Sequence, residues 1–316
     1  MKIVIIGPGA LGCLFAYHLS NCKCDNLRVN LLDHNEKRVS HISEKGITCI
    51  TAHGKEVRAV RATADLSIIQ DAEYVLICVK SLAVSSLLKT IYPHLSSRCL
   101  VVGLQNGISH LAHFQADLNG KLWAIGVTAH GATLEHEAVV RHCGSGLTRI
   151  GFDAFTNLER VKRTALPRLD KLISILNTVN IETTRELDIT PFIWGKLIIN
   201  IGINALTAIH GCRNGELLAD HFLKRQMMAV VTEAAAVAEA KGIKLPVNPI
   251  KSTLDVCLRT SENISSMLQD ITHRRKTEIE AINGALTQEA RKYKIDTPMN
   301  DFLISKVKEM ECSFLP

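Results

Sequence analysis

The fold is decided by residues 2–12, which read KIVIIGPGALG. An apolar, β-branched run is followed at once by a GxGxxG motif, and the residues after the motif have the apolar spacing of an amphipathic helix. In a dinucleotide-binding unit, the first glycine makes a tight turn, the second admits the pyrophosphate and the third lets helix and strand pack closely. A purely structural turn is the alternative. The motif predicts these cofactor-contacting residues: Gly7, Pro8, Gly9, Ala10, Leu11 and Gly12.

The first half of the chain alternates between strand-like and amphipathic stretches. We predict strands over residues 2–6, 27–32, 74–79, 99–104 and 122–127, with helices between the early ones. Such alternation is typical of βαβ units and of a parallel sheet. Residues 139–152 are predicted to form an antiparallel hairpin that closes this sheet. A helix and a short strand at 181–184 are predicted to complete the first domain.

After Asp188 the strand patterns end and long helical patterns follow, including residues 222–241 and 277–294. We therefore expect an α/β protein with an N-terminal Rossmann-type dinucleotide-binding domain, residues 1–186. An all-helical C-terminal substrate or catalytic domain, residues 187–316, would follow it.

Composition narrows the possible partners and the location. The net charge of +6 is spread along the 316 residues, which favours a mildly anion-attracting surface over a nucleic-acid partner. No apolar run approaches the ~20 residues that span a bilayer, and no signal peptide is evident, so we expect no membrane partner and a cytoplasmic location. The ten cysteines are scattered, and we interpret them as reduced and mostly buried. Cys22 and Cys24 lack zinc-site spacing, so no metal is expected.

Asp33 ends the second predicted strand, where an acidic side chain bonds the ribose hydroxyls of NAD and repels the 2′-phosphate of NADP. However, His34, Lys37 and Arg38 follow, and each is a possible ligand of a 2′-phosphate. A helix-capping role for Asp33 or Asn35 at the next helix is a further alternative. The choice between NADP and NAD therefore stays open.

Two further polar residues follow predicted strands, at the edge where parallel sheets bind their ligands. Lys80 follows residues 74–79, and Asn106 follows residues 99–104. We expect both near the nicotinamide end of a cofactor. An ordinary helix start for Lys80 and an Asn-Gly turn for Asn106 are the alternatives.

The predicted helix over residues 194–206 carries three polar residues at intervals of four: Lys196, Asn200 and Asn204. This spacing places them on one face of a strongly apolar helix, which is typical of a small-molecule site with a few convergent polar groups. A solvated stripe on a core helix is the alternative. A lysine whose pKa is lowered by desolvation can serve as the acid in a ketone reduction.

These motifs together resemble the ketopantoate reductases (2-dehydropantoate 2-reductases) of pantothenate and coenzyme A biosynthesis. The resemblance covers nearly the whole chain, and its motifs occur in the right order. They are GPGALG at 7–12, VKS around Lys80, QNG around Asn106, TAHGA at 128–132, KLxxNxxxNxLTA at 196–208, CRNGEL around Asn214, SENISSMLQDI at 261–271 and KTEIEAING at 276–284.

The resemblance implies an NADPH-dependent oxidoreductase that reduces ketopantoate, a small 2-oxo acid, to pantoate. It assigns Lys196 as the general acid. It makes Glu278 a catalytic residue shared between substrate and cofactor. The substrate-binding residues it implies are Asn200, Asn204, Asn214 and Ser266. The cofactor-contacting positions it implies are Gly7 to Gly12, Lys80, Asn106 and Ala132.

The sequence departs from the family pattern in two places. Asp33 and His34 stand where an arginine for the 2′-phosphate is expected, so NADH use stays possible, and Ala205 replaces a common proline. Two rival functions also stay open: a same-fold reductase of another branched 2-oxo acid, and a non-catalytic dinucleotide-binding sensor. The apolar helices of the second half are compatible with a homodimer or with simple core packing.

Overall fold

The computed structural model of the chain describes residues 1–24, 26–153 and 163–314. The chain divides into two compact units. The first comprises Met1–Gln105 and Leu111–Ile189, and the second comprises Asn106–His110 and Thr190–Pro316. The division after Ile189 lies three residues beyond the boundary at residue 186 that the sequence predicted. The sequence did not predict that the segment Asn106–His110 belongs to the second unit.

The first unit is built on an eight-stranded, mainly parallel sheet in the order β12-β11-β8-β7-β6-β1-β2-β5. Only β11 and β12 run against the others. The strands are β1 Lys2–Ile6, β2 Arg28–Leu32, β5 Arg61–Thr63, β6 Tyr74–Ile77, β7 Leu100–Gly103, β8 Leu122–Thr128, β11 Thr148–Gly151 and β12 Thr183–Glu186. The helices of this unit are α1 Ala10–Leu19, α2 Glu36–Lys45, α3 Val84–Ile91, α4 Leu111–Asp117 and α5 Leu166–Thr178.

A second, four-stranded sheet in the same unit was not expected. It has the order β4-β3-β10-β9, and its strands are β3 Ile47–Thr51, β4 Gly54–Arg58, β9 Gly131–His136 and β10 Val139–Gly144. The prediction of helices alone between the second and third strands was therefore wrong. Residues 47–63 combine β-branched and polar side chains around a turn at Ala52 and His53, a pattern that favours strands.

The predicted hairpin over residues 139–152 was also wrong. β10 pairs antiparallel with β9, whereas β11 pairs antiparallel with β8 in the main sheet. The hairpin turn lies instead at Ala138, which adopts a left-handed conformation (φ 59°) without being glycine. Hairpin turns are usually signalled by Gly, Asn or Asp, so this turn carried no recognisable signal.

The second unit is helical and has its own apolar core. Its helices are α6 Thr190–His210, α7 Glu216–Ala219, α8 His221–Ala240, α9 Pro249–Arg259, α10 Ser266–Thr272, α11 Ala285–Lys292 and α12 Pro298–Cys312. The helix predicted over 277–294 is present, but it begins with a π-helical turn, Glu280–Gly284, which continues directly into α11. The expected fold class, a Rossmann-type α/β region followed by a helical region, is confirmed.

Helix α6 is the central element of the second unit and packs against α8, α9, α10 and α12. By length and composition alone, this helix could cross a membrane, but 67% of its most apolar 18-residue segment is buried inside the protein. Such burial agrees with a core helix.

Candidate active site

The glycine turn of the first unit is shaped by close backbone approaches. Gly7 has φ +99°, and a Cβ atom there would lie 2.7 Å from the Val79 Cγ1 atom. A Cβ atom on Gly12 would overlap the carbonyl oxygen of Gly7. Both glycines are therefore required by the protein's own packing, which holds the start of α1 against the end of β1.

Gly9 differs from these two glycines, because no protein atom occupies the space that its side chain would fill. Its backbone has φ −75°, which any residue can adopt, and a Cβ atom would meet no atom within 4 Å. The open space lies beside the first turn of α1, where helical N–H groups lack intrahelical partners and the helix dipole favours an anion. This cradle fits the pyrophosphate of a dinucleotide.

Asp33 lies directly after β2, and its side chain is buried, with only 5% exposed. The Arg38 Nε–H donates a hydrogen bond to Asp33 Oδ2, and His34 Nδ1 lies 3.2 Å from Asp33 Oδ1. Of the three candidates from the sequence, both Arg38 and His34 therefore contact the carboxylate, but the His34 side chain is almost fully exposed whereas that of Arg38 is partly buried. Lys37 is exposed.

Lys80 and Ala132 occupy different elements of the first unit. Lys80 is exposed and follows β6 at the start of a short 3₁₀ segment, and Ala132 lies in β9 opposite His142. Gln105, which follows β7, is buried and donates from Nε2 to the carbonyl oxygens of Ile77 (2.7 Å) and Val79 (3.2 Å). Gln105 therefore fixes the chain just before Lys80.

The polar face of α6 is found in the second unit, as the four-residue spacing predicted. Lys196 and Asn200 are partly buried, and Asn204 is buried. Desolvation by burial lowers the pKa of Lys196 to about 8, although the nearby Glu278 carboxylate acts in the opposite direction. A lysine in this state is still mostly protonated at neutral pH but gives up its proton more readily than an exposed lysine.

Asn106 joins this group, because the Asn106–His110 segment belongs to the second unit. The Asn106 amide donates from Nδ2 to Glu278 Oε2 at 3.3 Å. The next residue, Gly107 (φ 78°), passes so close to Ala281 that a Cβ atom would overlap the Ala281 carbonyl oxygen. The described structure thus brings Lys196, Glu278 and Asn106 together.

Four buried residues that the sequence analysis missed hold the segment around Glu278. Glu311 of α12 accepts the Thr277 backbone N–H at 2.6 Å, and the Thr277 hydroxyl accepts the Ile279 N–H at 3.2 Å. In the π-helical turn, the Asn283 Nδ2 amide donates to Asn300 Oδ1 at 3.0 Å. Because π-helical turns are often found at functional sites, this one is consistent with a constrained placement of Glu278.

Asn214 and Ser266 lie on the chain segments at the other end of α6. Asn214 is buried, and its Nδ2 donates to Thr260 Oγ1 at 2.9 Å. Ser266 is exposed at the first position of α10, whereas its neighbour Ser265 is buried and caps that helix by accepting the Leu268 N–H at 3.1 Å. No contact of Asn214 or Ser266 with Lys196 is recorded within the described residues.

Ser265 also joins α10 to α6, because its hydroxyl lies 2.7 Å from the Thr207 hydroxyl. Both side chains are buried. The serine preference at helix N-caps could have identified Ser265 from the sequence. Thr207 carried no such signal, because its partner is 58 positions away.

Within the described part of the chain, no group of three or more His, Cys, Asp or Glu side chains is arranged to hold a metal ion. All ten cysteines are in the thiol form, and four of them are buried.

Two family models match the chain. The model described as "Ketopantoate reductase PanE/ApbA" matches residues 3–154, and the model described as "Ketopantoate reductase PanE/ApbA C terminal" matches residues 188–311. Among relatives, the 2-dehydropantoate 2-reductase of Halobacterium salinarum is 32% identical over 95% of both chains. That of Vibrio cholerae is 30% identical over 99% of both chains.

Several solved structures are similar over almost the whole chain. The PanE/ApbA family ketopantoate reductase from Ralstonia eutropha JMP134 has a TM-score of 0.87 and 27% identity, covering 100% of both chains. A ternary structure of D-mandelate dehydrogenase with NADH and anilino(oxo)acetate has a TM-score of 0.87 and 25% identity, covering 99% of both chains.

The open space at Gly9 predicts a substitution that separates ligand binding from stability. Gly9→Ala should leave the melting temperature unchanged, because its φ suits alanine and no protein atom is close. The methyl group should weaken binding of the reduced dinucleotide by about tenfold or more, which is ~1.4 kcal/mol. Titration of nicotinamide fluorescence measures this. The matched control is Gly144→Ala, which also has open space; equal binding by both variants would contradict the assignment.

Proposed function

We propose, since this chain belongs to the ketopantoate reductase family, that it reduces 2-dehydropantoate (ketopantoate) to pantoate with a reduced nicotinamide dinucleotide, a step of pantothenate and coenzyme A biosynthesis. The observation that carries the proposal is the partly buried Lys196 with a pKa of about 8, near Glu278, which Asn106 contacts. Near-full-length relatives named 2-dehydropantoate 2-reductase support the same reaction.

In this reaction a bound reduced nicotinamide supplies a hydride to the carbonyl carbon of the 2-oxo acid. Lys196 donates the proton from its Nζ ammonium to the alkoxide oxygen that develops. Burial supports this role because the lowered pKa of Lys196, about 8, brings the acid close to the operating pH. Glu278 keeps the ammonium form populated, because its carboxylate raises the pKa of Lys196.

The substrate is bound by uncharged polar side chains and by the carboxylate of Glu278. The amides of Asn200, Asn204 and Asn214 can donate to the carbonyl and carboxylate oxygens of the acid, and Ser266 adds a hydroxyl donor. Glu278 accepts a hydrogen bond from the substrate hydroxyl, while Asn106 holds one of its oxygens at 3.3 Å. A site of this kind is selective for a hydroxylated 2-oxo acid, since losing the hydroxyl leaves a buried acceptor without a donor.

The proposal assigns one task to each part of the chain. Residues 1–186 hold the dinucleotide through Gly7 to Gly12, Lys80 and Ala132, and residues 187–316 hold the 2-oxo acid and the proton donor. The proposal includes the boundaries of these two domains and the individual site residues. It also includes a cytoplasmic location and a homodimeric state.

A second candidate function is the reduction of a different 2-oxo acid. It is favoured by the similarity to D-mandelate dehydrogenase at 25% identity over 99% of both chains. Pocket shape determines the choice between such substrates, and one fold can serve several of them.

Comparing two substrates tests the proposal. The protein should reduce ketopantoate with a kcat/KM roughly 10⁴-fold above that for the same 2-oxo acid without its hydroxyl, because sites that hydrogen-bond a hydroxyl reject analogues lacking it by about that factor. Absorbance of the reduced nicotinamide follows both reactions. Lys196→Ala should abolish turnover, whereas Lys244→Ala, an exposed lysine of the same unit, should not. A preference for the hydroxyl-free acid would favour the second candidate.

NADPH is the cofactor that we propose, on the basis of the Asp33–Arg38 pair. An isolated Asp33 carboxylate would repel a 2′-phosphate, but the Arg38 guanidinium neutralises it and adds a donor suited to phosphate. Arg38 can therefore hold the 2′-phosphate while it stays close to Asp33.

Replacing Arg38 should reverse the cofactor preference. Arg38→Gln should weaken NADPH binding by about tenfold or more and leave NADH binding nearly unchanged, because only the 2′-phosphate loses a cation and meets an unpaired carboxylate. Lys37→Gln removes the same charge from an exposed neighbour and should have little effect. Dissociation constants for both cofactors measure this. Equal losses for NADH and NADPH in Arg38→Gln would contradict the assignment.

A further inference from the structure

A cavity of about 490 Å³ lies in the first unit, away from the glycine turn. It is lined in part by Cys22, Arg28 and Arg61. Arg28 and Arg61 begin β2 and β5, which run parallel to β1, whereas the glycine turn follows the end of β1. The cavity is therefore at the opposite edge of the sheet from the candidate dinucleotide site.

The two arginines make this cavity suitable for an anion. Arg61 pairs in register with Asn30, two positions along β2 from Arg28. Because alternate residues of a strand share a face, both guanidinium groups project on the same side of the sheet. Both residues are exposed. The nearby carboxylate of Asp71 is engaged by Lys2. A ligand with carboxylate groups would complement the paired guanidiniums.

Cys22 places a thiol on the same cavity. Its Sγ accepts the Cys24 backbone N–H at 3.4 Å and lies 3.7 Å from Thr178 Oγ1. Although partial burial acts to raise it, the pKa of Cys22 is lowered, because hydrogen bonds from the Cys24 thiol, the Cys24 N–H and Thr178 favour the thiolate. In contrast, burial raises the pKa of Cys13, Cys99 and Cys257 to about 12.

Cys24 supplies a second thiol within reach of the first. Both residues are in the thiol form and partly exposed, and they are separated by one residue. Accessible thiols with thiolate character, next to a second thiol, are the ones that undergo exchange with disulfides.

We propose that Cys22 and Cys24 form a thiol–disulfide exchange site for low-molecular-weight disulfides that carry carboxylates, with Arg28 and Arg61 seating the carboxylates. The Cys22 thiolate attacks one sulfur of the ligand, the ligand's S–S bond breaks, and one thiol leaves after taking a proton. The Cys24 thiolate, having lost its proton to solvent, then attacks the Cys22 sulfur and releases the second thiol. In total, two cysteine thiols are oxidised to one disulfide and the external disulfide is reduced to two thiols.

This site is independent of the proposed reductase chemistry, and mass spectrometry tests it. The reduced full-length protein is mixed with glutathione disulfide, quenched with acid and digested. The wild type should form a Cys22–Cys24 disulfide, and Cys24→Ser should instead retain one glutathione on Cys22. The exposed cysteines Cys143 and Cys312 serve as internal controls and should react more slowly. Reaction of Cys22 no faster than these two would overturn the proposal.

A second measurement tests the role of the arginines. Arg61→Gln should slow modification of Cys22 by glutathione disulfide roughly tenfold, because charge complementarity raises association rates. It should not slow modification by the uncharged hydroxyethyl disulfide. Arg225→Gln makes the same charge change on α8 of the second unit and should change neither rate. An equal rate loss with both disulfides, or none with glutathione disulfide, would overturn the proposed anion seat.

Discussion

The second unit depends on one partly buried cation. Lys196 loses part of its hydration on an apolar helix, and this desolvation lowers its pKa to about 8 against the opposing influence of Glu278. Removing a charge from water is costly unless a partner lies nearby, so the placement of Glu278 favours the ammonium form of Lys196. Hydrogen bonds from the surrounding helices support the segment that carries Glu278.

That support comes from groups far apart in the sequence. Glu311 and the Asn283–Asn300 pair hold the segment that carries Glu278, and the Thr207–Ser265 contact ties α6 to the start of α10. Buried hydrogen-bonded networks of this kind have few alternative arrangements, because each broken bond leaves an unsatisfied polar group. In the first unit, the conformation of the glycine turn is likewise restricted, because Gly7 and Gly12 lie in close contact with neighbouring backbone atoms.

The sequence predicted those features that depend on local pattern. The glycine turn follows β1 at once, and the four-residue spacing of Lys196, Asn200 and Asn204 was sufficient to place them on α6. The second sheet was missed because β3 and β10 are brought together from distant positions, and the hairpin was misplaced because its turn uses Ala138. The hydrogen bond from Asn106 to Glu278 joins residues that are 172 positions apart, so no local pattern could indicate it.

The pH dependence of kcat/KM for ketopantoate, measured with saturating reduced cofactor in the wild type and in Glu278→Gln, tests the central claim most directly. If the Lys196 ammonium is the proton donor, activity should fall as pH rises through about 8. Removing the Glu278 carboxylate removes an influence that raises the pKa of Lys196, so the fall should shift to lower pH. An activity that falls at the same pH in both proteins, or that shifts upward, would contradict the account.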